Sequence, residues 1–140
     1  AFDGIGFSAD VIAMLSGDQY GQFEAPFLGR AGQDFSGAGF HSCGNWADKI
    51  SGVKTIDNLL MVDAAFSGET DPACNATEPF RDNFSDSGIV VNARIVGDEE
   101  TVIEKVRELY KKPTKLIAVT YCKSPRQQQQ VYDTLKTIES

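Results

Sequence analysis

The sequence predicts an α/β fold built on a parallel sheet. Short apolar runs with strand character alternate with helical patterns along the whole chain, which implies right-handed βαβ units. The helical pattern at 98–112 is the clearest, with acids in its first turn and lysines at its end. At 140 residues the chain is one domain, 1–140, and it should bury roughly two-thirds of its unfolded surface.

The elements follow in order. In "SADVIAMLSGDQYGQFEAPFLGRAG", Ser16 and Gln19 have capping-box spacing, so the main helix starts after Ser16. Tyr20, Phe23 and Phe27 recur at helical spacing, Gly32 suits a stop, and Pro26 predicts a kink. "GAGFHSCGNW" (Gly37 to Trp46) reads as the first strand, and a weakly patterned helix follows to Gly52. "NLLMVDAA" (Asn58 to Ala65) reads as the second strand, "GETDPACNATEP" as a loop and "PFRDNFSD" as a short helix. "GIVVNARIV" (Gly88 to Val96) is the third strand. The next helix places Val102, Val106, Leu109 and Tyr110 on one face and stops at Pro113. "KLIAVTYC" is the fourth strand. Ser124 and Pro125 then start a last helix whose buried stripe is Val131, Leu135 and Ile138. The glutamines at 127–130 are its wet side.

Composition narrows the partners. A net charge of −7, from 20 acidic and 13 basic residues, excludes nucleic acid or an anionic membrane as the main partner. No apolar run approaches the roughly 20 residues that span a bilayer. Three cysteines, an odd count, argue against a closed disulfide framework and suggest a cytoplasmic protein, where cysteines more often bind metal or react. The "NAT" sequon at Asn75 is then a chance match. A chain that begins at Ala1 without methionine is expected to be processed or partial.

Residues two apart on a strand share a face. Gly39, His41 and Cys43 therefore point one way, and Met61 and Asp63 share a face on the next strand. In the fourth strand Ala118, Thr120 and Cys122 oppose the bulkier Ile117, Val119 and Tyr121, which suit packing under helices. The helix-free face thus collects His41, Cys43, Asp63, Asn92 or Arg94, and Cys122 near strand C-termini, where parallel α/β folds build sites. Two thiolates and one imidazole suit zinc with an open fourth position. A buried free cysteine also occurs as a small hydrophobe, so spacing alone leaves both readings open. Cys74, in a loop without partner spacing, reads as structural.

"LSGDQYGQFEAPFL" resembles the LSP-x-x-Y-x-x-F-x-x-P helix of the uroporphyrinogen decarboxylase-like superfamily. "FHSCGN" resembles its H-x-C-G-[ND] strand, "LLMVD" the following strand that ends in Asp, and "VTYC" its last strand. The resemblance implies the C-terminal half of a (β/α)8 TIM-type barrel, with four βα units as the last four of eight. It also implies the branch of zinc methyltransferases that move a methyl group between a corrinoid and a thiol, since His41, Cys43 and Cys122 match that branch's metal ligands. In that reading Asp63 orients a ligand or the substrate, or else caps a helix; Trp46 packs on the corrinoid or else belongs to the core; and Arg94 is a further contact for a corrinoid or tetrapyrrole. The superfamily's other branch, the metal-free uroporphyrinogen decarboxylases, is the alternative. There Arg94 and Lys123 would pair with the substrate's carboxylates. A non-catalytic half-barrel is a third reading. This sequence departs from the family at Tyr121, where glycine is common, and at "VNARIVGDEE", which replaces GN-x-D-P. A half-barrel also predicts a partner: either a missing N-terminal half or a second copy in a homodimer. Alone it should be a poor catalyst, since other substrate contacts come from the absent half.

Overall fold

The computed structural model describes residues 3–138. It is an α/β fold with one five-stranded, all-parallel sheet in the order β1-β2-β3-β4-β5. The strands are β1 (Gly4–Ser8), β2 (Gly37–His41), β3 (Leu59–Ala65), β4 (Val90–Arg94) and β5 (Lys115–Val119). β2 to β5 are the four expected strands, trimmed at their ends. β1 is an addition to the expected order, and the four-strand count is corrected to five. Its sequence, GIGFS, has only Ile5 and Phe7 to mark a strand, because the alternate positions are two glycines and a serine.

The helices are α1 (Gly17–Gln19), α2 (Ala25–Gly32), α3 (Ile50–Val53), α4 (Thr77–Phe84), α5 (Glu99–Leu109) and α6 (Pro125–Lys136). The capping box at Ser16 is formed in both directions, with the Ser16 hydroxyl accepting from the Gln19 N–H and the Gln19 side chain from the Ser16 N–H. The expected kink is a π-turn at Tyr20–Glu24. Pro26 has no N–H to donate, and the chain widens by one residue just before it, so that Ala25 N–H reaches Tyr20 O. Asp98 caps α5 through the Thr101 N–H, and Ser124 caps α6 through the Gln127 N–H.

Sequential strand order with right-handed crossovers places the helices on one side of the sheet. Ala38 and Phe40 of β2, Val62 and Ala64 of β3, and Val91 and Ala93 of β4 point to that side. They join Val102, Val106 and Leu109 of α5 and Val131 of α6 in a single core. At its centre runs a line of edge-to-face aromatic rings. Phe40 lies 5.1 Å from Trp46, Trp46 lies 4.7 Å from Phe80, and Phe80 lies 4.8 Å from Phe66. Among the described residues no helix covers the opposite face, and β1 and β5 are the sheet edges. No described helix is long and apolar enough to cross a membrane.

Register corrects the reading of β5. Asn92 pairs with Ile117 and Arg94 with Val119, so these share the open face with Asp63, which pairs with Asn92. Ile117, Val119 and Tyr121 are exposed there, whereas Leu116, Ala118 and Cys122 pack towards the core. The expectation gave the bulkier set to the helices. Pairing with β4 decides otherwise.

Candidate metal centre

The open face carries one polar cluster, at the C-terminal ends of β2, β3 and β4. His41 is the last residue of β2 and stands beside Asp63 in register. Its Nδ1 lies 2.7 Å from Asp63 Oδ1. The same Asp63 oxygen accepts from Arg94 Nε at 2.7 Å, and Asp63 Oδ2 accepts from Asn92 Nδ2. Asp63 is thus shared by three neighbours from β2 and β4, and its side chain is only 15 % exposed. A carboxylate accepting at Nδ1 selects the tautomer with the proton on Nδ1 and leaves the Nε2 lone pair free.

That lone pair faces Cys43 and Asp10. Nε2 lies 3.8 Å from Cys43 Sγ and 4.0 Å from Asp10 Oδ1. One ligand atom from each of Asp10, His41 and Cys43 lies within 4.8 Å of the other two. Asp10 reaches in from the turn after β1, and its Oδ1 accepts from the Cys43 N–H at 2.8 Å. Cys43 lies beyond the end of β2, in a turn that continues through Gly44. Gly44 has φ +72°, in the left-handed region where a side chain is strained. Loss of hydration, then the Asp10 carboxylate, pushes the Cys43 thiol above its ordinary value, with the Arg94 charge opposing them in part.

The donor set fits a borderline divalent cation. An imidazole nitrogen, a sulfur and a carboxylate oxygen are all zinc ligands. His41 is oriented by a carboxylate on its far nitrogen, as metal-bound histidines usually are.

The structure departs from the expected site at two residues. Cys122 does not join His41 and Cys43: it lies on the helix side of β5, in a cavity bounded by Gln128, Val131 and Leu135 of α6. The inverted facing of β5 removes it. Trp46 is fully buried against Phe40 and Phe80, so it is a core residue and offers no ring to a cofactor. Arg94 does stand at the site, but its Nε is engaged by Asp63. Asp63 lies against Nδ1 of His41, and Asp10 lies on the Nε2 side of the ring. The sequence puts Asp10 in the loop before the first helix, a place from which it could face the site. Its approach to Cys43 depends on β1, which the sequence marks weakly.

The segment after β3 supplies two further residues. Asp71 Oδ2 accepts from the Gly44 N–H at 2.7 Å, and Asn75 Oδ1 accepts from the Trp46 N–H at 2.9 Å. Asn75 is 3 % exposed, so the sequon that contains it is closed to modification in the folded chain. Hydrogen bonds from the Gly44 and Ala73 N–H groups hold the Asp71 carboxyl below its ordinary value. A depressed carboxyl stabilises the fold above the ordinary value, and that contribution is lost as pH falls through the lower, folded value. Wild type should therefore melt above Asp71→Asn at neutral pH. The gap should close as pH falls below 3.8, the ordinary aspartate value. Thermal unfolding followed across pH reads this directly.

No family model, no curated protein and no solved structure matches the chain.

Proposed function

We propose that Asp10, His41 and Cys43 hold a zinc ion that presents a small thiol for methyl transfer from a corrinoid. The observation that carries the metal centre is the two-sided setting of His41; methyl transfer rests on the resemblance of "FHSCGN" in the sequence. Nδ1 is tied to Asp63 at 2.7 Å, while Nε2 faces Cys43 Sγ and Asp10 Oδ1. Bound zinc would keep the acceptor thiol as a thiolate, the nucleophilic form. The chain's own residues do the rest. Asp63 fixes the tautomer and the ring plane of His41. Arg94 and Asn92 hold Asp63 in turn. Asp10 orders the Cys43 backbone through its N–H. With three protein ligands, a bound zinc would keep one position for the substrate thiol.

The fold supports this placement. A singly wound parallel sheet with one bare face is what a segment of a (β/α)8 barrel presents, and the site lies at the strand ends where such barrels place catalysis. In this reading the five strands are the last five of eight, and the remaining strands come from a longer chain or a partner. The decarboxylase alternative needs Arg94 to bind a substrate carboxylate; Asp63 takes its Nε, while its Nη2 has no hydrogen-bond partner among the described residues.

Titration with cobalt(II), a spectroscopic substitute for zinc, tests the centre. Wild type is expected to bind one equivalent, with thiolate charge-transfer bands that change when a small thiol is added. His41→Ala and Cys43→Ser should each lose at least about 100-fold in affinity, and Cys122→Ser should match wild type. Stoichiometric binding that survives both His41→Ala and Cys43→Ser would overturn the assignment. For the transfer itself, methylcobalamin and a panel of small thiols are incubated with zinc-loaded protein and S-methyl products are measured by mass spectrometry. Yields equal to the protein-free control for every thiol would remove methyl transfer and leave only the metal centre.

A further inference from the structure

We infer that Asn75 and Asp71 are positioning residues of this centre, clamping the turn that carries Cys43. The inference rests on the metal reading of Asp10, His41 and Cys43. Cys43 lies outside the sheet, since β2 ends at His41, and so it has no ladder bonds to fix its sulfur. A ligand on such a turn keeps its geometry only if other groups hold the backbone around it. Here side chains supply those bonds. Asp10 accepts from the Cys43 N–H, Asp71 from the Gly44 N–H at 2.7 Å, and Asn75 from the Trp46 N–H at 2.9 Å. Asn75 Nδ2 also donates to Gly44 O at 3.0 Å.

Asn75 is itself anchored on β3. Its backbone N–H donates to Ala65 O at 2.9 Å, and its Nδ2 reaches the same oxygen at 3.3 Å. Ala65 is the last residue of β3, two positions beyond Asp63. One strand therefore references both ligands: Asp63 sets the His41 ring directly, and Asn75 sets the Cys43 turn from the strand's end. Asp71 adds a second hold from the same segment, itself kept in place by the Ala73 N–H at 2.9 Å. A supporting partner of this kind is typically worth 10–100-fold in metal affinity.

The test compares wild type with Asn75→Ala, Asp71→Ala and Asp71→Asn. Asp71 is partly exposed, so its variants keep the question open if Asn75→Ala does not fold. In metal-free protein, hydrogen exchange at the Gly44 and Trp46 amides and the alkylation rate of Cys43 read the clamp alone. Exchange is expected to quicken at Trp46 in Asn75→Ala and at Gly44 in Asp71→Ala, and alkylation to change in both. Cobalt(II) affinity should then fall by about 10–100-fold in both, with shifted charge-transfer bands, and Asp71→Asn, which keeps an acceptor, should recover most of the loss. Folded variants with quickened exchange but wild-type cobalt affinity and spectrum would overturn the positioning role. A wild type that binds no cobalt would instead overturn the metal reading. In that case unchanged exchange and alkylation in the folded variants would overturn the clamp as well, and changed rates would leave it as a support of the turn.

Discussion

Phe80→Ala should destabilise the protein by about 3–5 kcal/mol, a fifth or more of the roughly 5–15 kcal/mol available to an ordinary domain. Phe80 is fully buried on α4, with its ring 4.7 Å from Trp46, 4.8 Å from Phe66 and 5.8 Å from Phe84. It joins the layer behind β2 to that behind β3, so truncation leaves a cavity that neither side can fill without moving a second large ring. Denaturant unfolding measures the loss, and Trp46, the only tryptophan, reports the environment of the deleted ring. A loss below about 1 kcal/mol would mean that the aromatic line closes over the gap, contrary to the packing seen here.

Asp63→Ala is expected to act on both stability and the site. It removes the acceptor of His41 Nδ1, Asn92 Nδ2 and Arg94 Nε together. Breaking a fully buried ion pair costs about 3–5 kcal/mol. The Arg94 side chain is 25 % exposed and partly hydrated, which lowers the expectation to about 2–3 kcal/mol. Asp63→Asn separates the two effects. An amide still offers one acceptor, so most stability should survive, while cobalt affinity should fall about 10–100-fold because His41 loses its charged orienting partner. Equal metal affinity in wild type and Asp63→Asn would show that Asp63 serves the fold alone.

Much of this fold is legible in the chain because local signals and tertiary outcome agree. The capping box at Ser16, the acids and lysines of α5, and the Ser124–Pro125 start of α6 are set by groups a few residues apart. The sharing of one face by Met61 and Asp63 follows from strand periodicity, which needs no partner to define it. Cys43 lies past the end of β2, so its place beside His41 comes from the turn through Gly44.

What sequence alone determined is the alternation of strands and helices, the parallel sheet it implies, and the presence of His41, Cys43 and Asp63 at strand ends. The tertiary structure decided which third group meets them. Facing on β5 depends on register with β4, and a shift of one residue moves every side chain to the opposite face. The pairing of Asn92 with Ile117 therefore sends Cys122 under α6. The approach of Asp10 depends on β1, whose glycines carry little strand preference and which is held by pairing with β2. The burial of Trp46 and Asn75 depends on α4 and the segment before it closing over the turn after β2. Each is a long-range contact, settled by packing between segments far apart in the chain, and no local pattern records it.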